Sequence, residues 1–213
     1  RTPVTTIKGF IETLKEGAID DPKNAERFLN IITKHINRLN LLIDDLLTLS
    51  KLEQKPDEIK TVDENIYSLL RSVAEDYEFK ANEKKITVNI KCDEKLKANI
   101  NKHLLEQAIG NLVDNAIKYS DKKSEIELGA EEKDKQLQIY VKDEGYGISD
   151  DHMPRLFERF YRVDKGRSRE EGGTGLGLAI VKHIINTMNG IIEVDSKPGK
   201  GSKFTVKIPQ KYD

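Results

Sequence analysis

The sequence predicts an α+β protein: an N-terminal helical hairpin followed by a two-layer α/β sandwich. Three features carry this. An a/d heptad seam runs from Phe28 to Leu49. The second half alternates helical stripes with strand-like segments. Between them, KLEQKPDEIKTVDE breaks both patterns with a proline and dense charge.

Ile7, Phe10, Ile11 and Leu14 recur at helical spacing in RTPVTTIKGFIETL. That helix has no capping residue ahead of it and no initiating methionine, so its first N–H groups lack partners within the sequence given. KEGAIDDPKN is a stop and a start: Gly17 ends the first helix, Asp20 or Asp21 caps the second, and Pro22 opens it. Phe28, Ile32, His35, Leu39, Leu42, Leu46 and Leu49 then step by four and three. A helix from Asp20 to Glu53 would run roughly 45–50 Å. It is too long to bury its seam on the short helix before it, so two copies of an antiparallel hairpin are expected to form a dimeric four-helix bundle. The expected domains are 1–56 and 57–213, with a linker near Gln54–Ile59.

In the second half, Ile66, Leu69, Leu70, Val73, Ala74 and Tyr77 form a helical stripe, and ITVNI alternates as a strand. A second helix is expected from about Asn101 to Lys118 and a third from Gly175 to Met188. SEIELGAEE and QLQIYVKDEG read as a hairpin, and GIIEVDS and KFTVKIP as two strands joined by the PGKG turn. Three helices on one face of a mixed, largely antiparallel sheet make the sandwich.

Composition narrows the function classes. The chain has 213 residues, 34% of them charged, with a net charge of −1, which lacks the basic footprint of a nucleic-acid binder. No run approaches the roughly 18 apolar residues of a membrane span. Cys92 is the single cysteine, so no internal disulfide is possible and a reducing compartment fits; it is expected to pack at a strand end.

Four segments could carry chemistry. In GNLVDNAIKYS, Asn111 and Asn115 lie four apart on one helix face, with Lys118 and Tyr119 nearly aligned and an apolar face opposite. Two amide oxygens and an ammonium suit a Mg²⁺–polyphosphate, though exposed Asn and Lys alone also make an ordinary solvated face. In YVKDEGYGIS, Asp143 follows a strand, and Gly145 and Gly147, before Ile148, form a turn or let backbone approach a ligand. A buried carboxylate accepts only, which suits an exocyclic amine. MPRLFERFYRVD interleaves Phe157, Phe160 and Tyr161 with Arg155, Arg159 and Arg162; the last stands beside the polar segment DKGRSREEGG, which reads as a lid. In EEGGTGLGLAIVK, Gly173, Thr174, Gly175, Leu176 and Gly177 open an apolar helix whose N–H groups would face an anion. Neither a dinucleotide fingerprint nor a P-loop is present.

Each segment is weak alone, but N-x-x-x-N-x-x-K-Y, D-x-G-x-G, F-x-x-F-Y-R and G-T-G-L-G-L in this order are specific. Together they resemble the N, G1, F and G2 boxes of bacterial two-component sensor histidine kinases, and IDDLLTLSKLE resembles their second dimerisation helix. The resemblance covers nearly the whole chain and is closest to the phosphate-sensing kind. It implies a histidine kinase/gyrase/Hsp90-like sandwich that binds ATP and Mg²⁺. Asp143 would meet the adenine, with Thr205 helping through a water. Asn115 would hold Mg²⁺ with Asn111 assisting. Lys118, Tyr119, Arg162 and the glycine-rich stretch Gly173–Gly177 would face the nucleotide.

The family motif H-E-L-R-T-P aligns on Arg1-Thr2-Pro3 and places the phosphoacceptor histidine upstream of Arg1. Thr2 would support dephosphorylation of a response-regulator receiver domain. His35, His103, His152 and His183 are not expected to replace that histidine. The partners implied are a second copy through the hairpin and the receiver domain, without nucleic acid. A membrane would enter only through an upstream segment, and the chain itself would be cytoplasmic. Two rivals remain: a hydrolysing ATPase of the gyrase, Hsp90 or MutL kind, and a nucleotide-gated docking and phosphatase module. Hydrolysing relatives carry a glutamate at the position of Asn111, and an amide takes no proton at neutral pH.

Overall fold

The structure, a computed structural model, describes residues 2–54, 60–163 and 173–210, with the backbone alone at 2, 3, 51, 53 and 54. The expected linker around Pro56, most of the expected lid and the Thr2 side chain lie outside the described residues. The chain divides into two units, Arg1–Thr48 with Asp164–Thr174 and Leu49–Val163 with Gly175–Asp213.

The first unit is built on α1 (Thr2–Lys15) and most of α2 (Pro22–Gln54), joined through a 3₁₀ turn at Ala18–Asp20. Gly17 takes φ 118°, left-handed backbone that suits glycine, just after α1. Asp21 caps α2: its Oδ1 accepts the Lys23 N–H at 3.0 Å, and Pro22 starts the helix. The Phe10 and Phe28 rings lie 5.2 Å apart, and Leu14 and Ile32 are buried.

The heptad seam begins by packing on α1 inside the hairpin, and Leu46, further along it, is 45% exposed in the single chain. The apolar arc of α2 is wider than this seam. Leu29, Ile36, Ile43 and Leu47 form a parallel stripe at spacings of seven, seven and four on the neighbouring face, and this stripe stays exposed.

The second unit carries a five-stranded sheet in the order β2 (Thr87–Cys92), β4 (Glu125–Lys133), β5 (Gln136–Asp143), β7 (Ser202–Pro209), β6 (Ile191–Ser196). The β2–β4 pair is parallel and the other pairs are antiparallel. Helices α3 (Ile66–Asp76), α4 (Glu78–Lys84), α5 (Lys102–Tyr119) and α6 (Gly177–Thr187) complete the unit. The core joins Ile126, Leu128, Leu137, Ile139, Val206 and Ile208 of the sheet to Leu69, Leu70, Ile109, Leu112, Ile180 and Ile184 of the helices. Each is nearly inaccessible, so each contributes about 1.5–3 kcal/mol by leaving water.

The other sheet face is polar. Tyr140 donates to Glu127 at 2.7 Å, Lys91 pairs with the same carboxylate, and the Tyr140 ring covers its cross-strand neighbour Gly129, where a Cβ would clash. Burial and Glu127 push the Tyr140 hydroxyl up to about 12.

The two-stranded pair β1 (Val62–Asn65) and β3 (Lys97–Ile100) was not expected, because VDEN and KANI lack a strong apolar alternation. Asn65 and Asn101 fix it to the helices. Each caps a helix, accepting from Ser68 and Leu104, while its amide nitrogen donates to a carbonyl elsewhere, Glu94 and Lys60 respectively.

The β4–β5 hairpin closes through Asp134 and Lys135, with φ 52° and 58°. Both are left-handed, as a type I′ turn requires, yet neither residue favours that region as Asn-Gly does. Replacing them together (Asp134→Asn with Lys135→Gly) is expected to stabilise the fold by about 1 kcal/mol. Urea unfolding would check this, and an unchanged midpoint would show that the turn carries no strain.

Candidate functional site

The site grows from the exposed edge of α5. Its inner face, Leu105, Ala108, Ile109, Leu112, Val113 and Ala116, is buried. The four-residue spacing therefore places Asn111, Asn115 and Lys118 together on the half-buried border, with Tyr119 more exposed. Asn111 donates through Nδ2 to the Gln107 carbonyl at 3.0 Å, which fixes its amide. A Cβ on Gly177 would stand 2.9 Å from the Asn111 Oδ1, so the start of α6 lies against Asn111. Helix α6 has no side-chain cap at Leu176. The Asn115 side chain has no hydrogen bond among the described residues. Lys118 lies 3.7 Å from Asp114, which also pairs with Lys80 at 2.8 Å.

Asp143 ends β5 on the core face and is 6% exposed. Its Oδ1 accepts the N–H groups of Gly145 at 2.8 Å and Ser202 at 3.1 Å. Burial pushes the carboxyl above its ordinary range, and the two backbone donors only partly oppose that. Its Oδ2 has no donor among the described residues.

The glycines here serve close packing of backbone on backbone. A Cβ on Gly145 would stand 2.4 Å from the Tyr119 carbonyl oxygen, and one on Gly147, at φ 69°, would strike the Lys197 carbonyl. Gly201, at φ 78°, packs equally tightly on the Asp143 carbonyl. Ser196 Oγ accepts from Ile148 N–H at 2.8 Å and bonds Ser202 Oγ, tying this loop to the end of β6.

Thr205 falls elsewhere, which corrects the expectation that it helps at the adenine. In the β5–β7 register Asp143 pairs with Ser202, and Thr205 pairs with Tyr140 on the polar face. Alternation along β7 puts Ser202, Phe204 and Val206 on the Asp143 side and Thr205 on the opposite one. Ser202, not singled out from the sequence, is the β7 residue that meets Asp143. Phe204, Val206 and Ile208 already marked the even positions as inward, and that was the available signal.

Phe160 adopts φ 65°, unusual for a bulky side chain, and its N–H donates to the Gly175 carbonyl at 2.8 Å. Gly175, at φ 76°, would bring a Cβ within 3.0 Å of Phe160 backbone. Arg162 is half-buried just beyond. Gly173 and Thr174 lie in the first unit, where the Thr174 hydroxyl donates to Asp45 at 2.7 Å. Of the histidines, His35 is half-buried on the seam, and His152 bonds the Tyr161 hydroxyl at 2.8 Å.

Residues 100–212 match the family described as histidine kinase-, DNA gyrase B-, and HSP90-like ATPase, and residues 1–55 match the His Kinase A (phospho-acceptor) domain. The chain belongs to the sensor histidine kinases. It is 38% identical to the sensor-like histidine kinase SenX3 of Mycolicibacterium smegmatis, over 100% of this chain and 55% of the relative. It is 35% identical to sensor histidine kinase WalK of Bacillus subtilis, over 100% of this chain and 35% of the relative. This histidine kinase chain therefore spans between about a third and about a half of the length of these curated relatives.

Among solved structures, Acinetobacter baumannii histidine kinase AdeS superposes with TM-score 0.80 at 25% identity, over 100% of this chain and 97% of that one. Histidine kinase ThkA in complex with response regulator protein TrrA gives 0.80 at 26%, over 99% and 58%. Full-length ShkA in complex with AMPPNP gives 0.76 at 27%, over 90% and 40%.

The buried charge of Asp143 yields a test within the fold. Its folded pKa lies above the ordinary value of 3.8, so its contribution to stability falls as pH rises from there through the folded pKa. Asp143→Asn keeps the accepting oxygen without the charge. Its melting temperature is expected to match wild type in strong acid and to exceed it at neutral pH. A variant less stable than wild type at pH 7 would mean that the carboxylate is satisfied by groups beyond the two N–H donors.

Proposed function

We propose that this chain is the catalytic region of an ATP-dependent protein-histidine kinase, and that its nucleotide lies across α5, the Asp143 loop and the start of α6. One observation carries most of this: Asn111, Asn115 and Lys118 line one border of α5, with the uncapped α6 N-terminus against Asn111. Two neutral amide oxygens fit Mg²⁺ beside a polyphosphate, since they coordinate without adding negative charge. Asn115 would hold the metal and Asn111 would assist. Asp143, short of donors, fits the exocyclic amine of adenine. Lys118, Arg162 and the N–H groups from Gly175 to Gly177 would face the phosphates, and Ile148 and Tyr119 would border the base. Gly173 and Thr174 would belong to the same phosphate-facing stretch of sequence.

The chemistry is positioning plus charge neutralisation. The lone pair of an imidazole nitrogen forms the bond to the γ-phosphorus as its bond to the β-bridging oxygen breaks, and ADP leaves. The acceptor histidine would stand upstream of Arg1, where the family motif puts it. The phosphoryl group would pass next to an aspartate of a receiver domain, the partner class seen with ThkA. Thr2 would serve the reverse, phosphatase direction. We place this work in the cytoplasm; no described helix is long and apolar enough to cross a membrane. Hydrolysis is the weaker reading, because Asn111 cannot act as a base and its amide is held by Gln107.

The dimer would close over the open stripe of α2. Ile36→Asp would place a charge in that interface and is expected to leave the chain monomeric by light scattering. A dimer that survives would move the interface elsewhere.

The deciding experiment incubates γ-labelled ATP and Mg²⁺ with this chain and with one extended upstream through the acceptor motif. Acid-labile, alkali-stable label is expected on the extended chain alone. Label on both would put an acceptor among His35, His103, His152 and His183. Free phosphate without labelled protein would favour the ATPase.

A further inference from the structure

We propose that Lys84 is a positioning residue for the nucleotide site. Its ammonium holds the last turn of α5, and through it the Gly145–Gly147 loop, in the geometry that binds Mg-ATP. This rests on the nucleotide reading above.

Helix α5 ends without the usual closure. Ser120 follows in extended backbone, φ −98° and ψ 150°, so no left-handed residue turns an N–H back onto the final carbonyls. Lys84, the last residue of α4, replaces that closure. Its Nζ donates to the carbonyls of Ile117 at 2.9 Å, Lys118 at 2.8 Å and Ser120 at 3.4 Å. Three oxygens at the negative end of a helix suit a half-buried ammonium better than any neutral donor. The Lys84 backbone grips the same bend, its carbonyl accepting from Lys123 N–H at 3.0 Å.

The Tyr119 carbonyl, in the same turn, leads to the site. Tyr119 O accepts from Tyr146 N–H at 3.2 Å, and Gly145 lies so close that a Cβ would stand 2.4 Å from it. Tyr146 O in turn accepts from Gly199 at 2.7 Å, and Gly145 N–H donates to Asp143. The turn that Lys84 holds therefore carries Lys118 and Tyr119 and also seats the loop that orients the Asp143 carboxylate.

The test titrates the full chain and its variants with Mg-ATP well below their melting temperatures, and follows amide exchange of Tyr146 against Ile139 in the sheet core. Lys84→Met is expected to raise the Kd roughly tenfold, as a half-buried set of carbonyls loses its charged donor. It is also expected to lose protection at Tyr146 while Ile139 keeps it. Lys84→Arg, which retains charge and donors, is expected to stay within about threefold of wild type. If Lys84→Met does not fold, Lys84→Gln is judged by the same two readouts. A folded variant with lowered melting temperature, unchanged Kd and a protected Tyr146 overturns the inference and leaves Lys84 a structural residue. Failure of the wild-type chain to bind Mg-ATP overturns the nucleotide reading itself, and the inference with it.

Discussion

A carboxylate set on the core side of a sheet is the constraint around which the second unit is arranged. Asp143 continues the inward alternation of Leu137, Ile139 and Val141, so its position follows from the strand. A charge there needs donors, and backbone supplies two on one oxygen. To supply them, the chain must fold back sharply after Asp143, and β7 must begin directly opposite. Gly145, Gly147 and Gly201 meet that demand, because each packs where a Cβ would strike main chain. The second oxygen is left without a donor among the described residues. A site that is satisfied on one side and wanting on the other is suited to a ligand that brings an N–H.

Lys84 extends the same logic to the helix beside it. A helix that delivers polar groups to a site from its last turn needs that turn fixed, and helix ends are where fraying begins. An ammonium from α4 holds the end of α5 with three bonds, one of them to Ser120 just beyond it, while the Tyr119 carbonyl meets the loop. The loop and the helix end thus share one network. Strain in the Phe160 backbone, stapled to Gly175, belongs to a second device at the root of α6. Both place backbone by close approach and hydrogen bonding, so a substitution at Gly145 or Gly175 acts on geometry before it acts on any ligand.

Much of this was legible in the sequence because it is local. The face shared by Asn111, Asn115 and Lys118 follows from helical spacing within α5, and the cap at Asp21 from the Asp-Asp-Pro run. The sheet hairpin was legible from alternation and one polar turn. What escaped is set by pairing between distant segments. The expectation for Thr205 took no account of the strand pairing that sets its side, although the apolar residues flanking it pointed the right way. Lys84 was not legible at all, since the carbonyls it meets lie 33 to 36 positions further on and sequence pattern says nothing about main-chain acceptors. The width of the apolar arc on α2 was present in the sequence, but an a/d template records only one of its two stripes.

The chemistry rests finally on a side chain that can do less than its hydrolytic counterpart. A carboxylate at Asn111 would repel a polyphosphate and could draw a proton from water. An amide does neither. Here the amide is further committed, its nitrogen held by the Gln107 carbonyl and its oxygen set against the start of α6. Such a group can help bind a metal–phosphate pair and leave the phosphorus without an activated water. On the proposed reading the γ-phosphoryl would await a nucleophile brought from outside the site, and an imidazole needs no base to attack because it carries its own lone pair. An amide in place of a carboxylate at Asn111 would thus turn a fold capable of hydrolysis toward transfer.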